Sequence, residues 1–387
     1  MEIIHKATKE PGFDDSWELI DPHSGEVKKV VSARTLWVKL LQNRMETGEP
    51  YLMFEDAVQA DLPDFQKRKG LQVNHSNLCS EITLATDEER TAVCCLSSVN
   101  LEYYDEWKKV PAFIPDLIRM LDNVLESFIQ NAPPQLERAQ FSAMRERSLG
   151  LGAMGFHAYL QKNGIPFESP IASAINYEIF DSIKSQAQNT TEELAVERGA
   201  CPDDDSCSVR NAHLLAIAPN ASSSIICGNT SPSIEPYRAN AYTQKTKSGS
   251  YLQKNKFLEA VLETYGQNTD NTWKSIVTNK GSVQHLEFLS EEEREVFKTA
   301  VEINQSWVIE HASQRQPFIC QSQSVNLFFP PDVNKGELHN VHMLAWAKNM
   351  KTLYYLRSEA ISRADNVSNK IKREIIFEQQ DCLSCEG

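Results

Sequence analysis

The segment Ser76-Asn77-Leu78-Cys79-Ser80-Glu81-Ile82 holds residues whose types could do chemistry together. Asn77, Cys79 and Glu81 alternate along the chain, and in an extended segment alternate side chains point to the same side. That arrangement places a thiol between an amide and a carboxylate. The carboxylate could act as a base toward a hydroxyl group that the amide holds by hydrogen bonds. Alternating polar residues are also typical of a solvated strand face, so the pattern alone leaves both interpretations open.

Cysteines outside this segment are candidate redox groups. Cys94 and Cys95 lie in an apolar stretch and would face opposite sides of a strand, so at most one shares a side with Cys79. Both could equally be buried core thiols. Cys382 and Cys385 form a Cys-x-x-Cys pair, and no second pair or nearby histidine pair completes a zinc site. Such a pair near the end of the sequence favours reversible dithiol–disulfide exchange.

Two further motifs carry candidate functional groups. Tyr354 and Tyr355 are adjacent and follow an apolar helical pattern, where aromatic residues most often serve packing. A short apolar strand leads into a hydroxyl-rich segment that offers N–H and O–H groups to an anion, although a serine-rich turn has the same composition. This segment consists of Asn220, Ala221, Ser222 and Ser223.

Other motifs argue against dinucleotide and metal sites. Gly150–Gly155 has the spacing G-x-G-x-x-G, but residues 138–147 before it have a charged helical pattern, so the required strand–turn–helix context is missing. His339 and His342 lack the His-Glu-x-x-His frame of zinc enzymes. The only Glu-x-x-His lies at residues 2–5, so we predict no di-iron centre and no metal site in this sequence.

The composition excludes several classes of function. Of the 387 residues 41% are apolar, and the formal net charge of −14 argues against a nucleic-acid backbone as the main partner. The sequence contains no run of about 18 uncharged apolar residues that would indicate a membrane span. It also contains no apolar run near Met1 that would indicate a secretion signal. The 9 cysteines are odd in number and scattered, which argues against a disulfide framework and favours the reducing cytoplasm.

The elements that must position these residues have an α/β pattern. Apolar periodicity predicts helices over 34–47, 112–130, 170–199 and 337–352. Short apolar runs predict strands over 51–54, 92–99 and 213–218. We interpret residues 1–33 as a polar leader, 55–76 as a polar loop and 376–387 as a tail. Short strands alternating with long helices predict one α/β domain over 34–375.

Together, and in this order, these motifs resemble the large subunit of class I ribonucleotide reductases. The shared landmarks are Asn-x-Cys-x-Glu, a cysteine shortly after it, Gly-Leu-Gly-x-Met-Gly-Phe-His, Ile-Glu-Pro, Tyr-Tyr and a C-terminal cysteine pair. The likeness covers nearly the whole chain from about residue 30 onward. It implies an α/β fold, the C-terminal half of the family's ten-stranded α/β barrel, with Cys79 on a finger loop at its centre.

The resemblance implies roles for the residues around that loop. Cys79 would hold a thiyl radical that abstracts the 3′ hydrogen of a ribonucleotide. Glu81 would be the base on the 3′ hydroxyl group, and Asn77 would hydrogen-bond the substrate. Tyr354 and Tyr355 would relay the radical to Cys79.

The resemblance also implies how the reaction is reset and how the substrate is held. Cys94 would be one of two thiols that end as a disulfide, and Cys382 with Cys385 would reduce it and be recharged by thioredoxin or glutaredoxin. Asn220, Ala221, Ser222 and Ser223 would bind the substrate diphosphate. The implied activity is reduction of ribonucleoside diphosphates to deoxyribonucleoside diphosphates in the cytoplasm.

The family's large subunits are about twice as long, and the first half-barrel falls outside this sequence together with the thiol that should pair with Cys94. A vicinal disulfide with Cys95 would be strained. The resemblance therefore implies a second chain with the N-terminal half, as in a split gene, although a truncated chain would look the same. It also implies a metal-containing small subunit that supplies the radical, and no cofactor in this chain.

Three other readings stay open at this point. The chain could be an inactive fragment or an assembly subunit. It could be half of a cobalamin-dependent reductase, although Tyr354 and Tyr355 favour class I because cobalamin forms its radical in place. A nicotinamide dehydrogenase built on Gly150–Gly155 would bind nicotinamide.

Overall fold

The computed structural model describes residues 1–246 and 249–358. Within them the helices are α1 (Glu2–Lys9), α2 (Ala33–Thr47), α3 (Glu55–Ala60), α4 (Asp64–Arg68), α5 (Tyr104–Trp107), α6 (Phe113–Asn131), α7 (Glu137–Glu146), α8 (Phe156–Lys162), α9 (Pro170–Arg198), α10 (Ala221–Ile226), α11 (Lys256–Thr264), α12 (Asp270–Thr278), α13 (Glu291–Val296), α14 (Gln305–Arg315) and α15 (Lys335–Ala347). The strands are β1 (Ser16–Ile20), β2 (Val27–Ser32), β3 (Leu52–Met53), β4 (Leu96–Asn100), β5 (Gly150–Met154), β6 (Ala241–Thr246), β7 (Gly249–Lys254), β8 (Leu327–Phe329), β9 (Thr352–Leu353) and β10 (Leu356–Ser358).

A set of parallel extended segments forms the central sheet. β4 pairs with β5, and β5 joins residues 213–218 through a parallel bridge. These residues join the segment 321–325 through a second parallel bridge, and that segment continues into β8, which pairs in parallel with β10. Among the described residues, no strand pairs with the outer edge of β4. The sheet is therefore an open parallel sheet that fits the predicted half-barrel.

Helices predicted from periodicity cover this sheet. α6 buries Ile114, Ile118, Leu121 and Leu125, one face of a helical repeat, and it packs against α9. α9 begins at Pro170 after the N-cap Ser169 and ends before Gly199, as the sequence predicts. α14 packs against both α9 and α15, so one layer of helices backs the sheet. No helix of the described residues is long and apolar enough to cross a membrane.

Two segments differ from their predicted form. Residues 1–33, interpreted as an irregular leader, contain α1 and the β1–β2 hairpin, whose turn is held by Asp21 accepting the N–H groups of His23 and Ser24. Residues 55–76, interpreted as a loop, contain the short helices α3 and α4. Both helices fall below the length at which apolar periodicity can be recognised in a sequence, which explains the difference.

The glycines of Gly150–Gly155 serve packing of the sheet. Gly150 and Gly152 lie within β5, so they form no loop between a strand and a helix that could cradle a phosphate. A Cβ atom on Gly152 would lie 2.5 Å from the carbonyl oxygen of Ala216 in the neighbouring segment. The absence of a side chain is what allows β5 and this segment to approach, and the dehydrogenase reading has no support in this geometry.

We predict that Gly152→Ala lowers the free energy of unfolding by about 3 kcal/mol, because backbone atoms cannot rotate away from the added methyl group. The control is Gly12→Ala, where φ is +84° but nothing lies within 4 Å of the Cβ position. That change should cost only the backbone strain, about 1 kcal/mol. Urea unfolding followed by circular dichroism measures both, and equal losses would contradict the packing role.

Candidate active site

The finger loop, residues 76–82, is a tight turn and not an extended segment, so alternation along the chain does not describe its geometry. The N–H of Asn77 donates to the carbonyl of Ile82 at 3.3 Å, and the N–H of Ile82 donates to Asn77 Oδ1 at 3.0 Å. Ser80 has a φ of +70°, which reverses the chain just after Cys79. The backbone is not extended here because these local hydrogen bonds outcompete a strand.

The turn nevertheless brings the predicted groups together. The side chain of Asn77 hydrogen-bonds the carboxylate of Glu81. Ser324 lies under the loop, where its Oγ is 2.6 Å from the carbonyl oxygen of Cys79 and 3.2 Å from Glu81 Oε2. The N–H of Ser322 donates to the carbonyl of Glu81 at 2.9 Å. The segment 321–325 therefore holds the finger loop at two points.

Burial controls the charge of Glu81. The residue is only 3% exposed, and this burial raises the pKa of its carboxyl group above the ordinary value. Hydrogen bonds from Asn77 and Ser324 oppose the rise because they favour the charged form. A carboxyl group balanced in this way can accept a proton from a hydroxyl group and hold it, which is the requirement for a general base.

Tyr354 contacts the thiol directly. Its hydroxyl group donates to the sulfur of Cys79 at 3.6 Å, and the residue is fully buried. Burial is the largest cause that raises the pKa of the Tyr354 phenol far above its usual value, so the phenol stays protonated. The ring centroids of Tyr354 and Tyr355 are 4.3 Å apart, so the predicted tyrosine pair is in van der Waals contact beside the thiol.

A third tyrosine and two arginines surround this pair. The Tyr51 ring lies 4.6 Å from that of Tyr354 and 4.9 Å from that of Tyr355, because β3 pairs with β9. Arg44 is fully buried and donates to the carbonyl of Tyr354 at 3.0 Å. The guanidinium carbon of Arg357 lies 3.9 Å from the centroid of the Tyr355 ring. The tyrosines are thus held in fixed positions from several sides.

Cys94 and Cys95 precede β4, which begins at Leu96 rather than at residue 92 as predicted, and they differ in exposure: Cys94 is exposed and Cys95 is buried. Cys95 is buried, and its thiol points to the carbonyl of Leu121 in α6 at 3.6 Å. Cys94 lines a cavity of about 600 Å³ together with Asn77. Although the residue is exposed at the surface, burial of its thiol is the largest cause that raises the pKa of Cys94 to about 12, followed by the charges of Glu81, Cys95 and Cys79.

The hydroxyl-rich segment lies at the carboxyl end of the third parallel segment. Asn220 precedes α10 as its N-cap, and its side-chain amide is 3.2 Å from Ser98 Oγ at the end region of β4. Ala221, Ser222 and Ser223 form the first turn of α10, whose N–H groups have no partner within the helix. Cys382 and Cys385 lie outside the described residues.

Metal ligation has no candidate in the part of the chain that the structure describes. Within residues 1–246 and 249–358, no group of three histidine, cysteine, aspartate or glutamate side chains could hold a metal ion.

Comparison with known proteins identifies the family and the fold. The sequence profile described as "Ribonucleotide reductase, barrel domain" matches residues 3–206 and 205–356. The chain belongs to this ribonucleotide reductase family. The predicted fold class is thereby confirmed, and the open parallel sheet is part of the family's barrel.

The sequence identities and the structural similarity to individual relatives are consistent with membership of this family. The ribonucleoside-diphosphate reductase large subunit of Invertebrate iridescent virus 3 is 48% identical over 374 residues, which are 96% of this chain and 59% of that protein. A putative large subunit from Frog virus 3 is 47% identical over 96% of this chain and 66% of that protein. The class Id ribonucleotide reductase alpha subunit of Actinobacillus ureae superposes with a TM-score of 0.80 at 43% identity, covering 85% of this chain and 62% of that chain. This chain spans about three fifths of the length of these relatives.

Sequence reasoning did not single out several groups that this ribonucleotide reductase domain places at the site. Ser324, Tyr51 and Arg44 come from elements far from the finger loop in sequence, and none forms a motif with it. Tyr51 opens the predicted strand at 51–54, but only the pairing of β3 with β9 brings it to Tyr354. The run Gln321-Ser322-Gln323-Ser324 of buried polar residues is a signal that could have been noticed, because buried polar groups need specific partners.

We predict that Glu81→Gln accelerates alkylation of Cys94 by iodoacetamide roughly threefold at pH 8.5, because removing a nearby negative charge lowers the pKa of the thiol and raises its thiolate fraction. Rates are measured by peptide mass spectrometry with fragment ions that separate Cys94 from Cys95. The matched control is Glu88→Gln, which removes a carboxylate from the same cavity but is not among the causes that shift Cys94. An equal acceleration in both variants would contradict the assigned geometry.

Proposed function

We propose that this chain carries the substrate-reducing site of a ribonucleoside-diphosphate reductase large subunit, which converts ribonucleoside diphosphates to deoxyribonucleoside diphosphates for DNA precursor synthesis. The observation that carries the proposal is the 3.6 Å contact between the Tyr354 hydroxyl and the sulfur of Cys79, with the Glu81 carboxylate held by the same loop. The names of the relatives support the same activity.

The adjacent rings of Tyr354 and Tyr355 suit the transfer of an oxidising equivalent. In the proposal, Tyr355 oxidises Tyr354, which takes the hydrogen atom of the Cys79 thiol and leaves a thiyl radical. Tyr354 can take part because its phenol keeps its proton, so the proton and the electron can move together. The oxidising equivalent itself comes from a separate, metal-containing small subunit, and this chain needs no cofactor of its own.

The finger loop suits hydrogen abstraction from a ribose. The Cys79 radical takes the 3′ hydrogen, Glu81 accepts the proton of the 3′ hydroxyl group, and Asn77 holds the substrate by hydrogen bonds. A radical at C3′ next to a deprotonating oxygen makes loss of the 2′ hydroxyl group as water easier. The high pKa of Glu81 that burial causes makes it a stronger base than an exposed carboxylate would be.

The reducing equivalents come from thiols. We assign Cys94 as one of two thiols that give up two electrons and two protons and end as a disulfide. Cys382 and Cys385 then reduce that disulfide by exchange and are reduced in turn by thioredoxin or glutaredoxin. Asn220, Ala221, Ser222 and Ser223 bind the substrate diphosphate through the N–H groups at the start of α10 and the serine hydroxyl groups.

A complementing polypeptide completes the site in this proposal. The relatives are longer than the span that this chain matches, and the open edge of β4 and the surface position of Cys94 would meet further strands and a partner thiol. We propose that a separate chain supplies this N-terminal half and that the complex acts in the cytoplasm.

The test is reduction of CDP by the full chain, reconstituted with the host's small subunit, the N-terminal half of a large subunit, thioredoxin, thioredoxin reductase and NADPH. We expect formation of dCDP, and a loss of roughly three orders of magnitude or more in turnover in Cys79→Ser and Tyr354→Phe, because neither variant can pass on a hydrogen atom. Turnover is measured by chromatography of the nucleosides.

The matched control is Tyr237→Phe, which removes the hydroxyl group of a partly buried tyrosine, bonded to the carbonyl of Asn229 rather than to Cys79. It should keep most of the wild-type turnover. No dCDP from the wild-type complex, or equal losses in Tyr237→Phe and Tyr354→Phe, would overturn the proposed function.

A further inference from the structure

The hydroxyl group of Ser324 lies between two acceptors on the finger loop. Its Oγ is 2.6 Å from the carbonyl oxygen of Cys79 and 3.2 Å from Glu81 Oε2, and the residue is fully buried. A hydroxyl group has one hydrogen, so it cannot donate to both oxygens at the same time.

We propose that Ser324 is a positioning residue that couples the protonation state of Glu81 to how firmly the finger loop holds Cys79. An ionised Glu81 can only accept, so it competes with the Cys79 carbonyl for the single hydrogen of Ser324. A protonated Glu81 donates to Ser324 Oγ instead, and the Ser324 hydrogen is then committed to Cys79. The loop is therefore held more firmly in the protonated state.

This inference rests on the proposed function, in which Glu81 takes the proton of a 3′ hydroxyl group. The finger loop would tighten at the step where the radical has left Cys79 and must later return to it. In that step the O–H bond of the 3′ hydroxyl group breaks and an O–H bond forms on Glu81, and on the loop side only the oxygen to which Ser324 donates changes.

The backbone around Ser324 is fixed, so its hydroxyl group is the part that can change. The N–H of Ser324 donates to the carbonyl of Ile217 at 2.8 Å. The next residue, Val325, accepts the N–H of Tyr354 at 2.8 Å. Adjacent residues of the segment 321–325 thus hold the carbonyl of Cys79 and the backbone of Tyr354. A weaker bond on the loop side loosens the 3.6 Å contact between the thiol and the phenol.

Several other titratable groups lie near Glu81, and the effect of their titration must be distinguished from the effect of titrating Glu81. The thiol of Cys94 is close enough to the carboxylate for the charge of Glu81 to raise the pKa of Cys94, and the thiol of Cys79, which accepts from Tyr354, lies on the same loop as Glu81. The cavity next to the loop is lined by further charged or titratable side chains, namely His75, Asp87, Glu88 and Arg90. Glu81→Gln distinguishes Glu81 from all of them, because glutamine stays neutral and can donate to Ser324 Oγ at every pH.

Hydrogen exchange of the finger loop tests the coupling in the full chain without substrate or partners. Exchange of peptides covering residues 77–83 is measured by mass spectrometry from pH 5 to 8 and corrected for the intrinsic pH dependence. In the wild type we expect roughly fivefold slower exchange where Glu81 is protonated than where it is ionised, the worth of one hydrogen bond. Glu81→Gln should exchange slowly at every pH.

Ser324→Ala should lose the pH dependence, and Ser324→Thr should keep it, because threonine retains the hydroxyl group. The matched control is Ser322→Ala, which removes another buried hydroxyl group of the same segment, one bonded to Thr352 at 2.5 Å rather than to the loop. It should exchange with the wild-type pH dependence. Thermal unfolding verifies that each variant is folded.

Retention of the pH dependence in Ser324→Ala, or its loss in Ser322→Ala, would overturn the coupling. A loss in Ser324→Thr to the level of Ser324→Ala would do the same. These outcomes do not depend on turnover. A complex that reduces CDP but shows no coupling refutes only this inference, whereas coupling in a chain without activity refutes only the proposed function.

Discussion

The site depends on one parallel segment, residues 321–325, that holds both of its halves. The N–H of Ser322 and the hydroxyl group of Ser324 hold the finger loop, while the carbonyl of Val325 holds the backbone of Tyr354. Neighbouring residues of a strand are separated by a fixed rise of about 3.3 Å, so the thiol and the phenol cannot drift apart independently. The close packing of β5 against the adjacent segment, and of the helices behind it, keeps this segment in place.

Burial rather than ion pairing sets the chemistry of the site. It raises the pKa of the Glu81 carboxyl, the Tyr354 phenol and the Cys94 thiol, and in each case it is the largest cause. The neutral phenol of Tyr354 and the neutral thiol of Cys94 keep their hydrogen atoms, which the proposed reaction requires because it moves protons together with electrons. The buried cation beside the tyrosines also shows this effect, since burial lowers the pKa of Arg44 to about 10 while leaving it charged near neutral pH.

The parts of the fold that sequence predicted are those determined by local patterns. The helical repeat of α6 and the start of α9 at Pro170 each depend on residues within one or two turns. Cys79 and Glu81 could be selected from the sequence as candidate site residues because their types and spacing match a family motif. Family membership is established by comparison, whereas the roles assigned to these residues remain proposals.

The rest could not be predicted because it arises from contacts between distant segments. The turn at Asn77–Ile82 depends on reciprocal hydrogen bonds and on a left-handed Ser80, a residue type with no strong preference for that conformation. Tyr51 reaches Tyr354 only through the pairing of β3 with β9, and Ser324 reaches Cys79 from 245 positions away. Side chains of this kind acquire their role from the sheet order, which no local pattern encodes.

The central claim, that Tyr354 passes an oxidising equivalent to Cys79, is tested most directly by a radical trap at residue 354. 3-Aminotyrosine, which is easier to oxidise than tyrosine, replaces Tyr354 in the reconstituted complex, and electron paramagnetic resonance is recorded after mixing with substrate. The account predicts an aminotyrosyl radical at residue 354 and none when the same replacement is made at Tyr237. The absence of a radical at residue 354 in a complex whose wild-type form makes dCDP, or equal signals at both positions, would contradict it.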